Sequence, residues 1–163
     1  MITFKHEKGA EKYTAEVIRK LNDPRFREDA RLVKDFDPRY TIPDDIDGAC
    51  IVLPLTQTTT EFLRIGFYTQ NWFAWKVTPV NGYVDGSGRN MFLNTRNLLR
   101  SIKDIEETIW HELVHVSDSI NTKMVYWHGD NRLTGKGKTA PVKFAAWAAR
   151  WVPEYKVFPT TDL

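Results

Sequence analysis

Ser101-Ile102-Lys103-Asp104-Ile105-Glu106-Glu107-Thr108-Ile109-Trp110-His111-Glu112-Leu113-Val114-His115-Val116-Ser117-Asp118-Ser119-Ile120-Asn121 is the stretch whose periodicity organises the whole chain. Its apolar residues Ile102, Ile105, Ile109, Leu113, Val116 and Ile120 fall within about 80° of one another at helical pitch, which predicts one amphipathic helix. Ser101 followed by Asp104 resembles a capping box, and Asp104, Glu106 and Glu107 place acid in the first turns, where the helix dipole favours it. Asn121 supplies a stop. Two histidines, His111 and His115, stand one turn apart on a single face, so both imidazoles can reach one ion. They lie opposite the isoleucine stripe, on the face a solvated helix gives to water.

Outward from this helix the chain divides into a sheet-rich middle and helical flanks. Tyr13, Val17, Ile18 and Leu21 recur at helical spacing, predicting a helix from Ala10 to Leu21 that Asp23-Pro24 stops. The polar segment from Arg25 to Asp47 reads as surface, with a short helix around Asp29 to Lys34. Ala49–Leu55, Glu61–Tyr68 and Trp72–Thr78 are predicted strands. Asn81-Gly82 and Asp85-Gly86-Ser87-Gly88 are turn sequences, and Tyr83-Val84 with Asn90–Asn94 reads as a hairpin. A final helix is predicted from Pro141 to about Val152, with Phe144, Trp147, Ala148 and Trp151 on its apolar face. The order predicts an α+β fold: a small mixed or antiparallel sheet packed against helices.

At 163 residues, 42% of them hydrophobic and 13% aromatic, the chain suits one domain, 1–163, with a substantial core. Twenty-three basic against 21 acidic residues give a net charge of +2, so the chain as a whole exerts no long-range pull on nucleic acid or anionic membrane. The one cysteine, Cys50, rules out an intrachain disulfide framework and a cysteine-rich zinc ribbon. It lies in the apolar run Ala49-Cys50-Ile51-Val52-Leu53 and reads as a buried structural thiol. The charged N-terminus lacks the apolar core of a signal peptide, and no apolar run reaches membrane-spanning length. Those features predict a soluble, cytoplasmic protein, with export by another route left open.

The chemistry concentrates in His111-Glu112-Leu113-Val114-His115. With four His and nine Glu in the chain, chance supplies about 0.005 copies of His-Glu-x-x-His. Zinc suits two imidazoles, which bind it at about 2.0–2.1 Å. Glu112 is offset by about 100° from His111, beside an ion and not on it, where it can take a proton from an activated water and deliver it to a leaving amine. A catalytic zinc needs a third protein ligand. His128, in Tyr126-Trp127-His128-Gly129, is the leading candidate; Asp118, Asp130 and Glu154 are rivals. Asp118 shares the histidine face and is expected to orient a histidine by accepting its ring N–H. Tyr126 and Tyr83 are candidates to steady an oxyanion. Arg132, Lys136 and Lys138 form a small basic, glycine-containing loop that is a candidate cleft wall and a possible nucleic-acid contact.

The His111-Glu112-x-x-His115 helix resembles that of the zincin metallopeptidases, and His128-Gly129 resembles the His-Gly pair of their SprT-like branch. The resemblance spans roughly residues 101–131. It implies that His111, His115 and His128 hold Zn2+, and that Glu112 is the general base. It also implies a sheet-edge strand that pairs with the substrate backbone; Asn90–Asn94 is either that edge or an ordinary core strand. The sequence departs from the SprT-like pattern after His-Gly, where Asp130 and Asn131 replace a proline and an aromatic. The function expected is therefore a zinc-dependent hydrolase, a metalloendopeptidase acting on protein or peptide. A non-catalytic metal-binding or assembly module with a zincin-like helix is the alternative.

Overall fold

The computed structural model describes residues 1–43, 45–121, 125–126 and 139–153. Thr3–His6 forms β1, followed by α1 (Glu11–Asn22) and α2 (Pro24–Ala30). Asp23 does more than end α1: its side chain accepts from Arg25 N–H, and Pro24 sits in the first turn, so the same dipeptide starts α2. Thr41–Ile42 (β2) pairs antiparallel with Val125–Tyr126 (β6). Between them lie α3 (Gly48–Gln57), β3 (Phe62–Tyr68), α4 (Trp72–Val77), β4 (Gly82–Val84), β5 (Asn90–Asn94) and α5 (Ile102–Ile120). The last described helix is α6 (Ala140–Arg150).

The main sheet has the order β1-β3-β5-β4, with β1, β3 and β5 parallel and β4 antiparallel to β5. It is mixed and packs against helices, as the α+β expectation requires. One face, carrying Leu63, Ile65, Met91 and Leu93, is buried. The helices cover that side: His6 of β1 bonds Thr14 of α1, and Gly82 of β4 abuts Thr108 of α5.

Two expected strands are helices. Ala49–Leu55 lies in α3, because the Asp47 carboxylate accepts from the N–H groups of Ala49 and Cys50 and caps a helix start. Trp72–Thr78 falls mostly in α4, capped in the same way by Asn71. Asn90–Asn94 is not an edge strand. It runs between β3 and β4, and β4 holds the edge. The helix near Asp29 to Lys34 lies earlier, at Pro24–Ala30, and β1 is a strand the sequence reading did not include.

The long pattern is α5, with Ser101 Oγ accepting from Asp104 N–H at 3.1 Å and donating to the Asp104 carboxylate at 2.7 Å. Ile102, the first residue of the stripe, is exposed. The rest of α5 is buried far beyond the stripe, taking in Glu106, Trp110, Glu112, Val114 and Ser117. The cause is its central place: α6, α1, α3 and β4 all pack on it. Phe26 anchors an aromatic cluster on this side, with Trp110, Trp147 and Trp151 ring centres at 5.0–5.1 Å.

Candidate active site

α5 fixes the histidines. Their ring centroids lie 5.3 Å apart at 69°. A ring binding zinc at about 2.0–2.1 Å has its centre roughly 3.2 Å from the ion, so two rings can share one only if their centres are within roughly 6.4 Å. The pair meets that test. Both residues are half-buried, not on a solvated face as their position opposite the isoleucines suggested.

Glu112 is buried, with 8% of its surface exposed. Burial pushes its carboxyl up to about 7, against the weaker pull of a hydrogen bond from the Val84 backbone N–H. That donor belongs to the sheet edge. The Asp85 N–H bonds Asn90 O and the Asn94 N–H bonds Asn81 O, so residues 81 and 85 face β5. By antiparallel alternation Gly82 and Val84 turn their backbone groups outward. The free edge of β4 therefore runs alongside the catalytic candidate. No reading of residue types could mark this group, since any residue but proline supplies a backbone N–H; the hairpin flanking the helix was the available signal.

The hairpin is held on α5 at both ends. At one end Gly82 leaves room for Thr108, whose Cγ2 would sit 3.0 Å from a Cβ placed there. At the other, Gly88 has φ +69° and lies against Ser119, with Cβ to Cβ 2.6 Å were a side chain present. Between them Asp85 clasps the turn, accepting from the Ser87 hydroxyl at 2.6 Å and the Asn90 side-chain amide at 2.6 Å, bonds that hold its carboxyl down at about 2. Gly88→Ala forces both a left-handed backbone and a collision, and is expected to destabilise the protein by about 2–4 kcal/mol. Urea unfolding of Gly88→Ala and of Gly88→Ala/Ser119→Gly measures this. The double variant should recover part of the loss, and equal midpoints for wild type and Gly88→Ala would show that the turn does not rest on α5.

On the other flank, Asp118 accepts the backbone N–H of Tyr126, and burial raises its carboxyl. This gives Asp118 a structural partner in β6. Tyr126 is buried, its phenol pushed up first by burial and then by Cys50, Asp118 and Asp47; its side chain belongs to the packed wall. Cys50 is half-buried on α3, packed against the core. Tyr83 stacks on Phe92 and meets Tyr68 edge-on, and by alternation along β4 it lies on the sheet face away from α5. Tyr68, not singled out by sequence, has its phenol raised by burial, by Tyr83 and by the charge of Glu112.

His128, Asp130, Arg132, Lys136, Lys138 and Glu154 lie outside the described residues. Among the described residues no group of three or more His, Cys, Asp or Glu side chains converges to hold a metal ion. No described helix is long and apolar enough to cross a membrane. No protein-family model, curated protein or solved structure matches this chain.

Proposed function

We propose that the protein is a zinc-dependent hydrolase, a metalloendopeptidase in which His111 and His115 hold the ion and Glu112 is the general base. The observation that carries this reading is the position of Glu112: a buried carboxyl one residue from His111, on the helix that brings the two imidazoles within reach of one ion, and bonded to the Val84 N–H of the sheet-edge strand β4. A carboxyl that burial makes a better proton acceptor than a solvated one suits a general base. A structural metal site has no use for such a group. His128 is proposed as the third ligand.

When bound, zinc supplies a Lewis acid for the scissile carbonyl and makes water a stronger acid. Glu112 accepts the proton of the attacking water and passes it to the leaving nitrogen. The outward N–H and C=O of Gly82 and the outward C=O of Val84 align an extended peptide backbone along the helix. The Val84 N–H steadies the ionised form of Glu112 between transfers.

Protein purified in metal-free buffer and then loaded with zinc is expected to bind about one equivalent per chain, and His111→Ala or His115→Ala to abolish that binding. His128→Ala should do the same; full retention of zinc affinity in that variant would remove His128 from the ligand set. Elemental analysis alongside hydrolysis of casein or a peptide library reads both. Zinc binding without hydrolysis of any peptide would favour a non-catalytic metal-binding module.

A further inference from the structure

We propose that the end of the sheet from which α4 and the β5–α5 connection emerge docks on the surface of an anionic lipid bilayer. β3 and β5 are parallel, and Tyr68 pairs with Asn94, so the two strands finish side by side. Residues 69–81 then cross over the end of β5 to reach β4, while residues 95–101 leave from the same place. Hydrogen bonds join the two segments: Thr69 Oγ1 to Thr95 Oγ1 at 2.7 Å, Arg96 Nε to Gln70 O at 2.7 Å and Asn94 Nδ2 to Gln70 Oε1 at 3.2 Å.

Half of the exposed large apolar side chains among the described residues gather here: Trp72, Phe73, Val77, Leu99 and Ile102. Leu99 is 98% exposed and Phe73 73% exposed, which makes them projecting tips and not walls of a groove. α4 buries none of its residues. With Trp72 52% and Phe73 73% exposed, α4 presents apolar surface to water.

The charges decide the occupant. Residues 69–81 and 95–103 contain Lys76, Arg96, Arg100 and Lys103 and no Asp or Glu. The next acid along the chain after Lys103, Asp104, is tied to Ser101. Arg100 is half-buried and bonded to Thr108; the other three cations are exposed. Lys76 already lies over the Trp72 ring at 4.0 Å. The near-balance of the whole chain hides this local sorting. Aromatic and aliphatic tips ringed by lysine and arginine match the boundary of a bilayer, where the tips enter the acyl region and the cations meet anionic headgroups. This is adsorption to one leaflet and needs no spanning helix.

Co-sedimentation with vesicles tests it, using phosphatidylcholine alone and phosphatidylcholine mixed with phosphatidylserine. Wild-type protein is expected to pellet with the mixed vesicles and to bind the neutral ones at least tenfold more weakly. Trp72→Ser/Phe73→Ser and Lys76→Gln/Arg96→Gln/Lys103→Gln should each weaken binding at least tenfold, while Leu32→Ser, an exposed leucine on another segment, should not. All of these side chains are exposed, so circular dichroism should read the same fold in every variant. Wild type remaining in the supernatant, equal binding to both vesicle types, or binding that survives either set of changes would overturn the proposal. The first of those results would leave the surface to a protein partner.

Discussion

Glu112→Gln is expected to lower peptide hydrolysis by roughly two to four orders of magnitude while leaving zinc content unchanged, the usual weight of a positioned acid/base. That is about 3–5 kcal/mol of transition-state stabilisation. The substitution is nearly isosteric, and the amide oxygen can still accept the Val84 N–H. Burial opposes the charged form of Glu112, so a neutral side chain there removes an unfavourable ion and the fold should be at least as stable. Loss of turnover with intact stability and metal therefore isolates the proton transfer. Turnover within a few-fold of wild type at equal zinc would take Glu112 out of the mechanism.

Lys20→Met is expected to destabilise the protein by about 3–5 kcal/mol, the cost of leaving a buried partner charge unpaired. Lys20 is 1% exposed and its Nζ donates to Glu106 Oε1 at 2.7 Å, Ala148 O at 2.7 Å and Ala149 O at 3.1 Å. The same Glu106 oxygen accepts from Trp110 Nε1 at 3.0 Å. One ammonium thus binds a buried carboxylate and two carbonyls at the end of α6, of which Ala148 O also accepts from the Trp151 N–H. In Lys20→Met the Glu106 carboxylate loses its counter-charge and keeps only the neutral Trp110 donor, and both carbonyls lose the ammonium. Lys20→Met/Glu106→Gln removes the stranded charge and should recover more than half of the loss. Chemical denaturation of the two variants makes the comparison, and a single-variant loss below about 1 kcal/mol would mean the pair contributes little.

The parts of this architecture that sequence disclosed are those with a local cause. Ser101 and Asp104 cap α5 with their own side chains, and the Asp85–Gly88 turn closes on itself through the Asp85 carboxylate. α3 was misread because apolar runs look alike in buried strands and buried helices. The deciding signals were Asp47 as a cap and Pro54, which a central strand does not tolerate. The burial around His111 and His115 was not legible, because α5 packs against elements from distant parts of the chain, among them α1, α3 and β4. The same holds for the Val84 N–H. The catalytic candidate could be named from its motif, but not the main-chain group that meets it.

The Lys20 cluster also bears on how the protein is made. Its partners lie 86, 128 and 129 residues further along the chain. A nascent chain synthesised from the N-terminus therefore carries α1 through most of translation with this ammonium still in water. The centre of the fold closes only when α6 leaves the ribosome. A force-sensing arrest peptide placed at successive lengths should stay silent through α1, β3 and the hairpin, and report one late pull as Ala148 and Ala149 emerge.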